Sequence, residues 1–138
     1  MLINAWAVVA SMVISVVLGF IWYGPLFGKK WMALSGITMP DTKPSFMVML
    51  KPMVISLVGA FLMSSVLSFS ITFHNAYYST SGIMTDLSFA FVLWLGFIVP
   101  AYLNFVAWEQ KSWTITLINT GYWLVFLSIS AALISLFA

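Results

Sequence analysis

Cysteine and arginine are both missing from this 138-residue chain, and its side-chain charge amounts to five lysines and three acids. Without cysteine there are no disulfides, no thiolate metal sites and no thiol redox chemistry. A charged fraction of 6%, against roughly 25% in ordinary soluble domains, excludes a typical water-soluble fold. So few lysines give no phosphate-tracking surface, and no nucleic-acid partner is expected. Phosphate loops, dinucleotide fingerprints, zincin helices and calcium loops are all missing, so no cofactor is expected. One histidine and no Gly-x-Ser-x-Gly elbow argue against serine hydrolysis. Haem would have to use His74 or a methionine, and methionine in a membrane bundle usually packs.

What fills the chain instead is apolar: 63% hydrophobic residues, 17% aromatic, and a mean hydropathy of +1.10. Four long apolar runs, at about 2–22, 47–73, 83–106 and 115–137, are each long enough to cross a bilayer as a tilted helix. Period-two alternation is lacking, which excludes barrel strands. The expected fold is an all-α membrane protein, a single domain of four transmembrane helices with an interfacial loop at about 23–46. The first run has no basic leader and no small-residue cleavage site, so it is expected to be a retained span.

Lys29, Lys30, Lys43 and Lys51 fall between or at the ends of spans one and two, and Lys111 falls between spans three and four. Cytoplasmic loops retain positive charge, so both termini are expected outside a cytoplasmic (inner) membrane. Trp22, Tyr23, Trp31, Trp108 and Trp113 would form an inner aromatic belt, and Trp6, Tyr77 and Tyr78 an outer one. Residues 27–34 read as a short amphipathic segment in the head-group plane, with Lys29, Lys30 and Lys111 meeting anionic lipid. A turn-rich break follows at 39–44, and span two either starts near Pro44 and kinks at Pro52 or starts at Pro52.

Small residues provide the packing signal. Ala7, Ser11, Ser15 and Gly19 form a ladder on span one, and Ser56, Ala60, Ser64, Ser68 and Thr72 form another on span two. Those faces should meet, because helices in lipid associate through close approach and hydrogen bonds. Thr116, Thr120, Ser128 and Ala132 mark a comparable face on span four. Gly96 and Pro100 predict a bend in span three, and Asn119, at similar depth on span four, is expected to satisfy the polar groups that this bend frees. Trp94, near the centre of span three, is expected to pack. Leu18-Gly19-Phe20-Ile21 recurs as Leu95-Gly96-Phe97-Ile98, each copy followed by proline, lysine and tryptophan, which suggests two tandem two-helix repeats.

Four stretches carry a family resemblance. They are Trp22-Tyr23-Gly24-Pro25-Leu26-Phe27-Gly28-Lys29-Lys30-Trp31-Met32, Trp94-Leu95-Gly96-Phe97-Ile98-Val99-Pro100, Glu109-Gln110-Lys111-Ser112-Trp113 and Leu117-Ile118-Asn119-Thr120-Gly121-Tyr122. Together they resemble the bacterial membrane family known as domain of unknown function 1761. The resemblance implies four helices and brings no activity, cofactor or substrate. Nothing transfers to span two or its outer loop. The motif positions expected to form the structural core or an interface are Trp22, Tyr23, Gly24, Pro25, Gly28, Trp31, Gly96, Pro100, Asn119 and Tyr122.

Ionisable groups offer two further candidates. His74 and Asp86 face each other across the outer hairpin and could relay a proton or hold an ion. The plainer reading is an interfacial histidine and an aspartate at a helix start. Glu109 and Lys111 are expected in a solvated anchoring turn, where a lone exposed pair contributes little stability; the alternative is a pair between Glu109 and Lys29 or Lys30 across the inner face. The expected function is that of a structural or accessory membrane component, without catalysis, packing with copies of itself or with a larger complex among membrane lipids. The alternatives are a small oligomeric channel or transporter lined by the serine and threonine faces and, more weakly, a lipid-acting membrane enzyme.

Overall fold

The computed structural model describes residues 2–38 and 41–138. Among these residues there are helices and no strands. Met39 and Pro40, at the start of the turn-rich break, lie outside the described residues.

Helix α1 (Ala5–Ile21) runs directly into a π-turn (Trp22–Leu26), and the short α2 (Gly28–Ser35) follows. Helix α3 (Phe46–Tyr78) turns into α4 (Ile83–Leu93). A second π-turn (Trp94–Ile98) joins α4 to α5 (Val99–Glu109), and α6 (Trp113–Leu136) closes the chain. Four of these continuous helical segments are long and apolar enough to cross a membrane: Ala5–Leu26, Phe46–Tyr78, Ile83–Glu109 and Trp113–Leu136. The protein is therefore a multi-pass membrane protein. At about 1.5 Å per residue, the 33 residues of α3 reach well beyond a hydrocarbon core of about 30 Å. The helix starts at Phe46 and continues through Pro52, so the first of the two expected starts is nearer the observed one.

Local chemistry sets the helix ends. The Asn4 carboxamide oxygen caps α1 by accepting from the Ala7 amide at 3.2 Å, and the Ser112 hydroxyl caps α6 by accepting from the Ile115 amide at 3.1 Å. Helix α2 stops at Gly36, whose φ of 70° is a left-handed conformation that costs glycine little. Asn4 also clasps two other helices. Its amide donates to the Ser68 hydroxyl on α3 at 2.9 Å, and its side-chain amide donates to the Phe137 carbonyl at 2.6 Å. The two ends of the chain thus share one face of the bundle with the turn between α3 and α4, while α2 and the turn between α5 and α6 lie at the other, where the lysines are.

Helix α6 is the most enclosed span and α1 packs most extensively on α3. Ala7, Ser11 and Ser15 of α1 and Ala60, Ser64 and Ser68 of α3 are buried, while of the other expected ladder members Gly19 and Thr72 are half-buried and Ser56 is exposed. The expected α6 face is buried at Thr116 and Thr120, but beyond them Ser130 and Ala131 are fully buried where Ser128 and Ala132 were expected. Few large groups fill the core: Phe126 and Leu67 are the largest fully buried side chains, followed by four serines. Small side chains let backbones approach closely, which is how helices gain contact in a solvent as apolar as they are.

The hydroxyls are mostly consumed within their own helices. Ser11 donates to the Ala7 carbonyl, Ser64 to that of Ala60, Thr120 to that of Thr116 and Ser128 to that of Leu124, all at 2.6–2.8 Å. A serine bonded in this way behaves as a small, internally satisfied residue.

Candidate functional site

Five residues of α6, Ile118 to Trp123 without Gly121, gather the polar tips of the surrounding aromatics. Trp22, which opens the first π-turn, donates its indole N–H to the Ile118 carbonyl at 2.9 Å. Trp94, which opens the second, donates to the Thr120 carbonyl at 2.8 Å. The Tyr23 hydroxyl donates to the Asn119 Oδ1 at 2.7 Å, and the Tyr122 hydroxyl donates to the Ser15 carbonyl at 2.9 Å. Trp123 donates its indole N–H to the Tyr102 hydroxyl on α5 at 3.0 Å.

The π-turns explain why these rings reach α6. In the first, the Phe27 amide reaches back five residues to the Trp22 carbonyl at 2.9 Å, and in the second the Val99 amide reaches the Trp94 carbonyl. Such a wide turn leaves a main-chain group without its usual helical partner, so a proline in or just after it loses little. Pro25 sits inside the first turn and Pro100 at the start of α5. Two glycines keep the assembly close. A Cβ on Gly121 would lie 3.1 Å from the Trp22 ring, and one on Gly28 only 2.6 Å from the Tyr23 carbonyl oxygen.

The structure therefore brings Trp22, Tyr23, Gly28, Asn119 and Tyr122 together, and it adds Trp31, whose ring meets that of Tyr23 edge-on at 5.4 Å. Gly24 and Pro25 shape the first π-turn without touching α6 through a hydrogen bond. Gly96 and Pro100 stand apart, exposed on the third span. Two expectations need correction. Asn119 does not serve the backbone near Pro100: its one side-chain hydrogen bond among the described residues accepts from Tyr23 rather than reaching the third span, whose irregularity takes the form of a π-turn. Trp22 and Tyr23 do not form part of an interfacial belt either, because the π-turn rotates both rings inward. Trp108, Trp113, Trp6, Tyr77 and Tyr78 do remain exposed.

Sequence reasoning missed Tyr102, Trp123, Asn4 and Asn75, and treated Trp94 as packing at most. A donor-bearing aromatic in an apolar span was the available signal, since a buried indole N–H or phenol O–H usually finds a partner.

At the other face, Asp86 is 3% exposed. Its carboxylate accepts from the Asn75 side-chain amide at 2.8 Å, and the Asn75 carbonyl accepts from the Thr80 hydroxyl at 3.1 Å. His74 Nδ1 lies 3.3 Å from that same carbonyl, with its ring between Tyr78 and Phe89. His74 and Asp86 thus communicate through Asn75. Among the described residues no group of three or more histidine or acidic side chains stands close enough to share a metal ion.

Lys29, Lys30 and Lys111 are exposed. Lys111 and Glu109 line a cleft of about 260 Å³ with Trp31, Tyr102, Thr116 and Asn119. A second and larger cleft, of about 620 Å³, lies between α1 and α3 and reaches Tyr102, Tyr122 and Trp123. The aromatic network is built of neutral indoles, phenols and one carboxamide, bonded in pairs. Such pairs fix how helices meet, and they present no convergent acid and base.

No curated protein and no solved structure matches the chain. A family model does match, over residues 6–135, and by it the chain belongs to the family described as protein of unknown function (DUF1761).

Proposed function

We propose that the protein is a structural or accessory component of a cytoplasmic membrane, with both termini on the non-cytoplasmic side, acting without catalysis or cofactor. It assembles through its third span, with copies of itself or with a larger complex. The observation that carries this reading is the state of that span. Only 6% of its most apolar stretch is buried, against 44% for the last span. Its exposed face carries Gly96, Pro100, Ala101 and Asn104, and a Cβ on Gly96 would meet nothing within 4 Å. Asn104 bonds only loosely to its own helix, at 3.3 Å to the Pro100 carbonyl. A small-residue face with a carboxamide suits close approach by another helix, where an interhelical hydrogen bond contributes about 0.6–2 kcal/mol. The back-bonded hydroxyls favour this reading over a conduit, which needs them turned to water.

The absence of native cysteine makes the test clean. Single cysteines at Ala101 and Asn104 should give a disulfide or bis-maleimide adduct in membranes, while one at Val66, exposed on α3, should not. Adducts no more abundant at Ala101 and Asn104 than at Val66 would refute the proposal.

A further inference from the structure

The bundle does not close at its lysine-bearing face. Ser15 of α1 and Ala60 of α3 are buried, but no residue of 46–59 is. Beside that half of α3 lies the cleft of about 620 Å³, with α1 on its other side. Gly24 on one wall and Gly59 on the other border open space, since a Cβ at either would meet nothing within 4 Å. Ser56 also lines the α3 wall, and Tyr102 and Trp123 complete the lining. The Tyr102 oxygen accepts from Trp123 at 3.0 Å, which leaves its O–H as a donor aimed at whatever lies beside it.

We infer that this cleft holds one acyl chain of an anionic phospholipid. Size admits an acyl chain: at roughly 30 Å³ for a group as large as water, the cleft takes at least about 20 methylene-sized groups. The wall selects an apolar occupant with few polar points, since a mainly hydrophobic lining with few polar groups is the usual form of a small-molecule site. Tyr102 and Ser56 are such points, donors for ester oxygens. Charge selects the head group. Lys51 stands on the same turn of α3 as Met49, Pro52 and Met53, which line the cleft, and Lys29 and Lys30 lie on α2 at the same face. Anionic head groups are drawn to lysines so placed. This site is walled mainly by α1 and α3, and from the third span it takes Tyr102, not the exposed face of Gly96, Ala101 and Asn104.

The test uses the full chain in mild detergent, stripped of lipid and offered dioleoyl phosphatidylglycerol or dioleoyl phosphatidylethanolamine, with bound lipid counted by native mass spectrometry. Wild type should retain one phosphatidylglycerol per chain. Gly59→Leu should weaken retention about tenfold or more, the scale of a lost pocket contact, while Val66→Phe, which adds bulk to α3 outside the cleft, should retain lipid as wild type does. Ser56→Phe fills the cleft from the neighbouring turn and serves if Gly59→Leu loses helix by circular dichroism. Lys51→Ala should erase the preference for phosphatidylglycerol. Undiminished retention in both filled variants, equal loss in Val66→Phe, or equal retention of the two lipids by wild type would overturn the inference.

Discussion

Three glycines stand in helices of this protein in such different surroundings that the same substitution, to alanine, should have different effects at each. At Gly59 the added Cβ meets nothing within 4 Å, so only backbone propensity acts, and Gly59→Ala should stabilise by at most about 1 kcal/mol. At Gly121 the Cβ would come within 3.1 Å of the Trp22 ring, which is held in place by its bond to the Ile118 carbonyl. Overpacking of that kind costs about 1–3 kcal/mol. Propensity offsets up to about 1 kcal/mol of it, which leaves Gly121→Ala destabilised by about 1 kcal/mol. Gly28 is the severe case. The Cβ would approach the Tyr23 carbonyl oxygen to 2.6 Å, and a backbone atom cannot swing aside as a side chain can, so the π-turn and α2 must separate. A cost at the upper end of the overpacking range, about 3 kcal/mol, is expected. The assay is reversible unfolding in mixed micelles by titration with a denaturing detergent, followed by circular dichroism. The expected order of stability is Gly59→Ala above wild type, then Gly121→Ala, then Gly28→Ala. If Gly28→Ala unfolds with wild type, the close approach of the π-turn to α2 has been misread and the account of these aromatics fails with it.

Other outcomes follow from the same contacts. Tyr23→Phe removes the donor to Asn119, and in a double-mutant cycle with Asn119→Leu the two changes should couple by about 0.6–1.7 kcal/mol, the range for hydrogen bonds between membrane helices; additive losses would deny the bond. Asn4→Ala removes the cap of α1 together with the tie to Phe137, and should lower stability by about 1–2 kcal/mol. Amide exchange in the first turn of α1 and the last turn of α6 should rise together in that variant, and faster exchange in α1 alone would show that the tie to Phe137 contributes nothing.

The sequence was legible where one physical rule dominates. Hydrocarbon thickness fixes the spans, and the paired ladders of Ala7, Ser11 and Ser15 with Ala60, Ser64 and Ser68 follow from the need for close approach. Gly96 and Pro100 announced an irregularity in the third span. Its form, a π-turn, was not legible, because a backbone bond that reaches five residues instead of four leaves no compositional mark. For the same reason Trp22 and Tyr23 read as interfacial: their type and position suit a head-group belt, and only the wide turn aims them at α6. Asn119 was expected to donate to the bend at Pro100 and instead accepts from Tyr23, because depth along α6 cannot tell which neighbouring helix an amide meets. Asn4 lies in front of the first apolar run, where a cap is plausible and a clasp on two distant helices is invisible. Asp86 and Asn75 are separated by the turn of the hairpin, so their bond depends on its shape.

Each π-turn also acts as a one-residue slip in helical phase. A regular helix advances about 100° per residue, so the residues after Trp22 and after Trp94 are rotated by about that angle relative to an uninterrupted helix. Helix α4 can therefore keep Asp86 and Ala90 buried while α5, continuing the same span, buries none of its residues. One membrane crossing thus changes its bearing midway: its first half carries buried residues of the core, and its second half, tied to α6 through Tyr102, is left largely exposed.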